Sequence, residues 1–472
     1  MTLVLLIAWL LSVDRRKIRL RTVSLALLIQ VTFAVLVLYV PVGQQVLTTV
    51  ASGVQGVIDS SAAGIDFLFG PVLPDEGSVF AFQVLPVIVF FAALTAVLYH
   101  LGILQLITRW IGGGLAKALG TTGPESMNAA ANIFVGQTEA PLVIRPYIKA
   151  MTPSEVFAVM CGGLTTVAGS VLVGYALLGA NLDYLIAASF MAAPAGLLMA
   201  KILVPAGAMA GIGPNAEVVA PPPSPPAAAG DAGTEARGGL VARLAGALRR
   251  GSRRGNTQAG RDELVRRASG GTVAAAGASD EQNENDDNEN DDEQNENDDD
   301  APVNVIDAAS RGASDGLDLA LNVGAMLLAF VSLIALGNLI LGGIGGLFGY
   351  GDLSIEQVLG YVFAPVMAAV GVPLTEAVDA GSFLGQKVIL NEFVAFSDFA
   401  PRAEEFSAKA QAVITFALTG FANLGSLAIL LGGLGGIAPT QRSVIARLGL
   451  RAVAAGTLGN LLSAAVAGIL IG

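Results

Sequence analysis

The sequence predicts an all-α polytopic membrane protein with about eight transmembrane helices, two re-entrant hairpins and interfacial helices in an inverted repeat. Of its 472 residues, 53% are hydrophobic, and the mean hydropathy of +0.66 lies far outside the soluble range. Several apolar stretches approach the length of about 20 residues that a membrane-spanning helix needs. Two polar strings, at 136–141 and 385–395, interrupt this apolar sequence. Because ionisable groups at membrane depth are energetically costly, these strings indicate a functional site.

The formal net charge of −12 comes mainly from one segment of the chain. Residues 280–300 carry 13 acidic side chains, and the rest of the chain has a net charge of about +1. The acidity therefore says nothing about the ligand. A single cysteine, Cys161, excludes an intrachain disulfide and a cysteine-clustered metal site. A single histidine, His100, excludes multi-histidine metal sites.

Residues 1–75 are predicted to form a pair of transmembrane helices followed by an interfacial helix. The apolar runs at 2–13 and 22–41 give the two spans, and the more mixed stretch 44–68 gives the interfacial helix. The basic segment 14–21 lies between the spans. Because short cytoplasmic loops are enriched in Lys and Arg, this segment predicts an N-terminus outside the cell.

Residues 76–205 are predicted to form the first repeat. Their segment 125–150 is too polar to face lipid and too short to cross the bilayer twice, which favours a re-entrant hairpin. Lys201 places the end of the last span on the cytoplasmic side. The other predicted elements are an interfacial helix at 104–119 and three spans at 80–101, 154–178 and 183–204.

Residues 206–303 differ in composition from the rest of the chain. They contain a proline-rich start, nine arginines between Arg237 and Arg267, and then the acidic tract. Such a sequence cannot bury a hydrophobic core, and we predict a disordered insertion. Its arginines favour the cytoplasmic side.

Residues 304–472 are predicted to form the second repeat, with a re-entrant hairpin at 373–400. The other predicted elements are interfacial helices at 305–319 and 354–371 and spans at 320–345, 405–430 and 444–470. This order of elements matches the first repeat. The two repeats enter the membrane in opposite directions by the charge rule, which predicts an inverted repeat and a C-terminus outside.

The polar residues of the two strings suit an uncharged, polar ligand. Gln137 and Thr138 both donate and accept hydrogen bonds, Glu139 accepts them, and such groups fit a planar ligand with a donor and acceptor edge. A carboxylate such as Glu392 accepts hydrogen bonds from two adjacent hydroxyls, as in a sugar diol. Asn423 and Ser426 are spaced to share one face of a helix.

Three sequence stretches carry a resemblance to a known family. They are ANIFVGQTEAPLVIRPYI at 131–148, GQKVILNEFVAF at 385–396 and GFANLGSLAILLGGLG at 420–435, and LLSVDRRKIRLRTV at 10–23 adds to them. At these residues the chain resembles the concentrative nucleoside transporters. The similarity covers nearly the whole chain except about 206–303. The long arginine-rich and acid-rich insertion departs from the family pattern.

The resemblance implies a sodium- or proton-coupled symporter that imports nucleosides, works as a homotrimer in the plasma membrane and moves its hairpin-bearing domain like an elevator. It implies no organic cofactor and no nucleic-acid partner. By the same resemblance, Gln137, Thr138 and Glu139 contact the nucleobase and Glu392, Asn423 and Ser426 hold the ribose. Val171 and Phe421 pack against the base and the sugar. The implied sodium ligands are Asn132, Val135, Thr166 and Val167, largely through backbone carbonyls.

Alternatives to the sodium-coupled transporter remain open from the sequence. A proton could replace sodium, with Glu139 or Glu392 as its carrier. The hairpin carboxylates could instead cap helices, and Asn423 and Ser426 could be packing residues between membrane helices. An intramembrane enzyme is disfavoured because no nucleophile–base pair or nucleotide-binding loop is present. A channel is disfavoured because two inequivalent hairpins do not form a ring of repeated groups.

Overall fold

The computed structural model describes residues 1–73, 79–209 and 302–471, and it assigns no strand to these residues. The predicted insertion 206–303 lies almost wholly outside the described residues. Six of the described helical segments are long and apolar enough to cross a membrane. They are Leu20–Tyr39, Phe80–His100, Pro153–Leu177, Leu182–Leu203, Val305–Gly346 and Pro439–Leu470. The all-α membrane architecture is confirmed, whereas the predicted number of about eight spans is not.

The N-terminal part contains four α-helices. They are α1 (Thr2–Leu10), α2 (Leu20–Ala34), α3 (Pro41–Ser60) and α4 (Ala62–Phe69). A π-helical turn, Val35–Tyr39, continues α2. The prediction of a span at 2–13 was wrong, because α1 has nine residues. Such a helix is roughly 14 Å long, about half the thickness of the hydrocarbon layer.

The first repeat contains seven α-helices. They are α5 (Phe80–His100), α6 (Ile103–Leu119), α7 (Gly123–Ala131), α8 (Arg145–Ile148), α9 (Pro153–Thr165), α10 (Gly169–Leu177) and α11 (Leu182–Leu203). Capping boxes start two of them: Thr122 and Glu125 satisfy the backbone N–H groups at the start of α7, and Thr152 and Glu155 do so for α9. The segment 125–150 therefore folds as helix, loop and short helix.

The second repeat also contains seven α-helices. They are α12 (Val305–Gly346), α13 (Ile355–Val370), α14 (Ala377–Ile389), α15 (Glu392–Phe399), α16 (Ala408–Leu418), α17 (Leu424–Ile437) and α18 (Arg442–Leu470). Both repeats run in the order long helix, amphipathic helix, helical hairpin, broken helix, long helix. Their opposite orientation in the membrane stays a prediction.

The predicted division of 305–345 into an interfacial helix and a span was wrong. These residues form one continuous helix, α12, of 42 residues. Its polar first half stays helical because it packs along α5. A methyl group added at Gly312 would lie 2.5 Å from Ala96 Cβ, and one at Gly316 would lie 2.7 Å from Ala92 Cβ. Small residues thus let the two helices approach closely.

The predicted continuous spans at 154–178 and 405–430 are interrupted. The first is divided between α9 and α10 by residues 166–168, and the second between α16 and α17 by residues 419–423. We call these interruptions the first break and the second break. Irregular backbone at membrane depth is tolerated where protein surrounds it. Accordingly, 94% of the residues in the apolar window of the segment Pro153–Leu177, which contains the first break, are buried.

The long helices form an inner and an outer group. Buried residues make up 89% of the apolar window in α11 and 78% in the segment that includes α18, and these two helices pack on each other. The corresponding values are 11% for α12 and 17% for α5. Both broken helices pack against α18. The hairpins and breaks are therefore supported by the inner group.

Candidate functional site

The two breaks lie against each other and share one buried side chain. The Phe421 backbone N–H donates to the Thr166 carbonyl over 3.1 Å. The Asn460 side-chain amide, on α18, donates to the carbonyls of Thr165 at 2.7 Å and Thr419 at 2.6 Å. Carbonyls at the end of a helix have no partner within the helix. Asn460 supplies that partner to both broken helices at once.

Gly420 allows this close contact at the second break. Its φ of 155° lies in a region that side-chain-bearing residues rarely adopt. A Cβ at this position would also lie 2.6 Å from the amide nitrogen of Asn460. Only glycine therefore combines the required backbone conformation with the position of Asn460.

The second hairpin, α14–α15, brings a buried carboxylate to the second break. Glu392 is the first residue of α15 and is 5% exposed. Its Oε1 accepts a hydrogen bond from the Tyr175 hydroxyl at 3.1 Å, and its Oε2 accepts one from Asn423 Nδ2 at 2.8 Å. Asn423 Oδ1 in turn accepts from the Ser426 backbone N–H at 2.7 Å and caps α17. The structure thus brings together Glu392, Asn423 and Ser426.

An aromatic cluster supports this carboxylate. The Tyr175 ring stacks on Phe396 with a centroid distance of 4.2 Å and contacts Phe393 at 5.2 Å. Val171 is buried one turn before Tyr175 on the same face of α10. Phe421 is half-buried in the second break. The two apolar side chains predicted to contact the ligand therefore lie on the segments that also carry the polar groups.

The first hairpin presents the predicted triplet at its tip, between α7 and α8. Gln137 is buried, and a methyl group at Gly163 of α9 would lie 2.8 Å from its Cβ. Thr138 packs against Gly433 of α17, since a methyl group there would lie 2.8 Å from Thr138 Cγ2. Glu139 is exposed, and its Oε2 accepts the Gly136 N–H at 2.7 Å. The tip thus contacts both broken helices.

Three buried amide oxygens of the first hairpin have no hydrogen-bond partner among the described residues. They are Asn128 Oδ1, Asn132 Oδ1 and Gln137 Oε1. The amides of Asn128 and Asn132 face Gly162 and Gly163 in the last turn of α9. An unsatisfied buried acceptor costs roughly 1–3 kcal/mol, so such a group in a native protein calls for a partner.

The predicted sodium ligands lie around these oxygens. Val135 and Val167 are buried on the hairpin tip and in the first break, and the Gly169 N–H donates to the Phe134 carbonyl at 3.1 Å. The Thr166 hydroxyl donates to the Gly162 carbonyl at 2.9 Å. That bond uses the hydroxyl proton and leaves the oxygen able to accept. Neutral oxygens on a helix end and a hairpin tip suit a hard monovalent cation.

A cavity of about 400 Å³ lies between the second hairpin, α12 and α13. It is lined by Val394, Ser397 and Asp398 of α15, which lie on the face of that helix opposite Glu392 and Phe396. Asp379 and Arg402 also line it, and Gln386 Nε2 donates to Asp398 there at 2.7 Å. None of the predicted substrate residues lines this cavity, which lies behind the hairpin and has both polar and apolar walls.

Sequence reasoning missed three residues of the site. Tyr175 donates to Glu392, Asn128 adds an unpaired oxygen to the first hairpin, and Asn460 links the breaks. Asn460 could have been found as the one Asn in the predicted C-terminal span 444–470. Tyr175 gave no comparable signal, because its partner is 217 residues away.

Family models match most of the chain. The model for the Na⁺-dependent nucleoside transporter N-terminus matches residues 1–72, and that for the C-terminus matches residues 273–468. A model described as nucleoside recognition matches residues 81–182. The matches thus include both hairpins and both breaks.

Curated relatives are similar over nearly the whole chain. An uncharacterized transporter, YutK of Bacillus subtilis, is 48% identical, with 99% of this chain and 97% of the relative covered. The nucleoside permease NupC of Helicobacter pylori is 42% identical, with coverage of 100% and 96%. Sodium/nucleoside cotransporter 1 of Rattus norvegicus is 33% identical, with coverage of 97% and 61%.

A solved structure shares the fold. The structure of CNTnw in an inward-facing substrate-bound state matches with a TM-score of 0.78 and 45% sequence identity, covering 100% of this chain and 96% of that chain. Structures of CNTnw variants in outward-facing and intermediate states match similarly, with TM-scores of 0.78 and 0.77. The helical architecture described above is therefore one that has been observed by experiment.

Proposed function

The chain belongs to the family of concentrative, Na⁺-dependent nucleoside transporters, and we propose that it imports nucleosides across the plasma membrane by sodium-driven symport. It is a multi-pass membrane transporter and not an enzyme. The observation that carries the proposal is the contact of two polar hairpins with two helix breaks deep in apolar sequence. Such a pair of discontinuous helices is typical of secondary transporters.

In this proposal the nucleoside lies between the two hairpin tips. Glu392 accepts hydrogen bonds from the ribose hydroxyls, while Asn423 and Ser426 hold the sugar from the second break. Glu392 is suited to this role because two donors, Tyr175 and Asn423, fix its carboxylate before the ligand arrives. Preorganised polar groups bind with a smaller loss of conformational freedom.

The nucleobase in turn meets the first hairpin. Gln137, Thr138 and Glu139 offer it amide, hydroxyl and carboxylate groups, partly through water. Val171 and Phe421 supply the apolar contacts to base and sugar. The buried and unpaired Gln137 Oε1 supports this role, since a donor on the base would satisfy it.

Sodium is the proposed coupling ion, held by Asn132, Val135, Thr166 and Val167 between the first hairpin tip and the first break. The unpaired Asn132 oxygen beside the last turn of α9 supports this site. An ion bound there would order the hairpin tip that then meets the nucleoside. Sodium binding would therefore precede and favour substrate binding.

The proposed transport cycle is elevator-type alternating access in a homotrimer. The hairpins and breaks pack on the inner helices, whereas α5 and α12 pack mainly on each other and have few buried residues, although α5 also contacts α10 and α12 contacts α15. The inner group is thus a candidate for the moving body. The inward-facing, outward-facing and intermediate structures of CNTnw support such a cycle. The exposed apolar side chains of α12, such as Leu328 and Leu339, are available to lipid and to neighbouring copies.

Uptake into proteoliposomes tests the proposal. Radiolabelled uridine and adenosine are offered with an inward sodium gradient, and then with an inward proton gradient at matched salt. We expect saturable accumulation that requires sodium. Accumulation driven only by protons would show that the proton is the coupling ion and would contradict the proposed sodium site. Accumulation of neither nucleoside by folded protein would overturn the substrate.

A further inference from the structure

A buried lysine of the second hairpin lies at the second break. Lys387, on α14, is 0% exposed. Its ammonium group donates to the carbonyl of Ala417 at 2.7 Å and to Asn460 Oδ1 at 2.8 Å. Ala417 lies in the last turn of α16, so the ammonium is held at the C-terminal end of the first half of a broken helix.

The ligands of this ammonium are neutral oxygens. A buried charge normally requires a counter-charge or a full set of hydrogen bonds. Lys201, the other buried lysine among the described residues, forms a direct ion pair with Glu125. Lys387 instead contacts a backbone carbonyl and a side-chain amide. Neutral carbonyl and amide oxygens are also the groups that bind a sodium ion.

The end of the helix itself favours a positive charge. The carbonyls at the C-terminus of a helix carry a partial negative charge, which a cation stabilises. Each break exposes one such end inside the protein, at Thr165 of α9 and at Leu418 of α16. Asn460 donates to the Thr165 carbonyl at the end of α9 and to the carbonyl of Thr419, the residue that follows α16. A buried cation beside each helix end would offset the partial negative charge of its carbonyls.

The first repeat offers the same arrangement without a cation of its own. Its hairpin also meets the C-terminal end of the first half-helix, at Gly162 and Gly163 of α9. It brings neutral amides there, and the oxygens of Asn128, Asn132 and Gln137 have no donor among the described residues. At corresponding places, the first hairpin presents buried amide oxygens with no cation beside them among the described residues. The second hairpin presents the Lys387 ammonium, which donates to the oxygens of Ala417 and Asn460.

We propose that Lys387 is a tethered cation that takes, in the second repeat, the place that a sodium ion takes in the first. Its ammonium group balances the negative end of α16 throughout the cycle. The transporter therefore needs one sodium ion for each nucleoside. This inference rests on the proposed sodium-coupled uptake and assigns its stoichiometry to one side chain.

The test measures the ratio of ²²Na⁺ to uridine taken up by proteoliposomes. For the unchanged protein we expect about one ion per nucleoside. Lys387→Ala leaves the oxygens of Ala417 and Asn460 without their donor, and we expect a second sodium ion to bind there. The ratio then rises to about two, and the dependence of uptake on sodium concentration becomes steeper, as mass action requires for a second ion. Propylammonium chloride, which replaces the missing amine, restores the ratio of about one.

Two control variants accompany this test. Lys387→Arg keeps the positive charge, and we expect it to keep the original ratio. Lys409→Ala removes a lysine from the first turn of the same helix, α16, and we expect it to leave the ratio and the steepness unchanged. A change of ratio in Lys409→Ala would mean that any loss of charge near α16 has this effect, which would overturn the assignment to Lys387.

The outcomes separate this inference from the proposed function. Without sodium-driven uptake by the unchanged protein, both fail. A ratio of two in the unchanged protein overturns only the inference, and it does so without any variant. A ratio of one in a transporting Lys387→Ala protein overturns it as well. So does a folded Lys387→Ala protein that binds no uridine at any sodium concentration, because sodium would then be unable to replace the ammonium.

Discussion

The two breaks share one architecture, yet their buried polar groups differ in what they lack. At the second break, Glu392 accepts hydrogen bonds from Tyr175 and Asn423. Lys387 donates to Ala417 and Asn460, so that the carboxylate and the ammonium both have partners. At the first break, Asn132 and Gln137 each keep a buried oxygen for which the described part of the chain supplies no donor. The second half of the site is therefore organised before ligands arrive, whereas the first half gains its partners on binding.

This difference explains a division of labour in the proposed function. A satisfied network holds its geometry without ligand and can define the position of the sugar. An unsatisfied set of acceptors is destabilising alone and is stabilised by a cation or a donor. Ligand binding should therefore order the first hairpin more than the second.

The largest expected effect comes from the organised half. Glu392→Gln replaces a charged acceptor by a neutral amide and weakens two charge-assisted hydrogen bonds to the ribose. We expect uridine binding to weaken by about 3 kcal/mol, roughly a hundredfold in Kd. Binding assays on purified protein measure this, with Glu404→Gln, an exposed carboxylate after the second hairpin, as control. Near-normal uptake by Glu392→Gln would remove Glu392 from the site.

The next effect concerns stability without ligands and has opposite signs in the two halves. Asn423→Ala removes the cap of α17 and a donor to Glu392, and we expect it to lower the free energy of unfolding by about 2 kcal/mol. Gln137→Leu removes an unpaired buried oxygen, and we expect it to raise that free energy by about 1 kcal/mol while weakening nucleoside binding. Thermal unfolding in detergent measures both. Equal signs would contradict the comparison between the breaks.

A smaller effect concerns sodium. Asn132→Ala deletes one proposed oxygen ligand, and we expect the sodium concentration for half-maximal uptake to rise about tenfold with the maximal rate retained. Thr165→Val is the matched control at the end of α9. The Thr165 hydroxyl donates to the Cys161 carbonyl and lies beside Gly196, so it is not one of the proposed sodium ligands. An unchanged sodium requirement in Asn132→Ala would place the ion elsewhere.

No effect on transport is expected from deleting about residues 215–300. This stretch has the composition of a linker, and its residues 215–272 lie outside the three family-model matches, whereas 273–300 lie in the C-terminal match. Sodium-driven uridine uptake by the deletion variant measures this. Loss of uptake in a well-folded deletion variant would show that the insertion contributes more than a connection between the repeats.

The sequence predicted the contents of the site better than its supports. Glu392, Asn423 and Gln137 stand out because polar residues in apolar sequence are a local signal. The breaks themselves gave no such signal, since Gly and Thr also occur inside regular membrane helices. Residues 166–168 leave the helix because Asn460 and Phe421 satisfy the freed carbonyls, and both partners are distant in sequence.

The same reasoning explains the wrong division of α12. Its first half contains Asp307, Ser310 and Asp315 and therefore resembles an interfacial helix. What makes it continuous with the apolar half is the close approach of Gly312 and Gly316 to α5. Composition reports local polarity, whereas continuity depended on which helix lies alongside.

The glycine-lined contact of α12 with α5 also offers an internal ruler. The backbones of α12 and α5 meet so closely at Gly312 and Gly316 that sliding one helix along the other would bring larger side chains into steric clash with the opposite backbone. Spectroscopic labels on these two helices should therefore report one sharp, ligand-independent distance. Any spread measured from α12 to the tips of the hairpins can then be assigned to displacement of the tips, because the reference helix keeps its position beside α5.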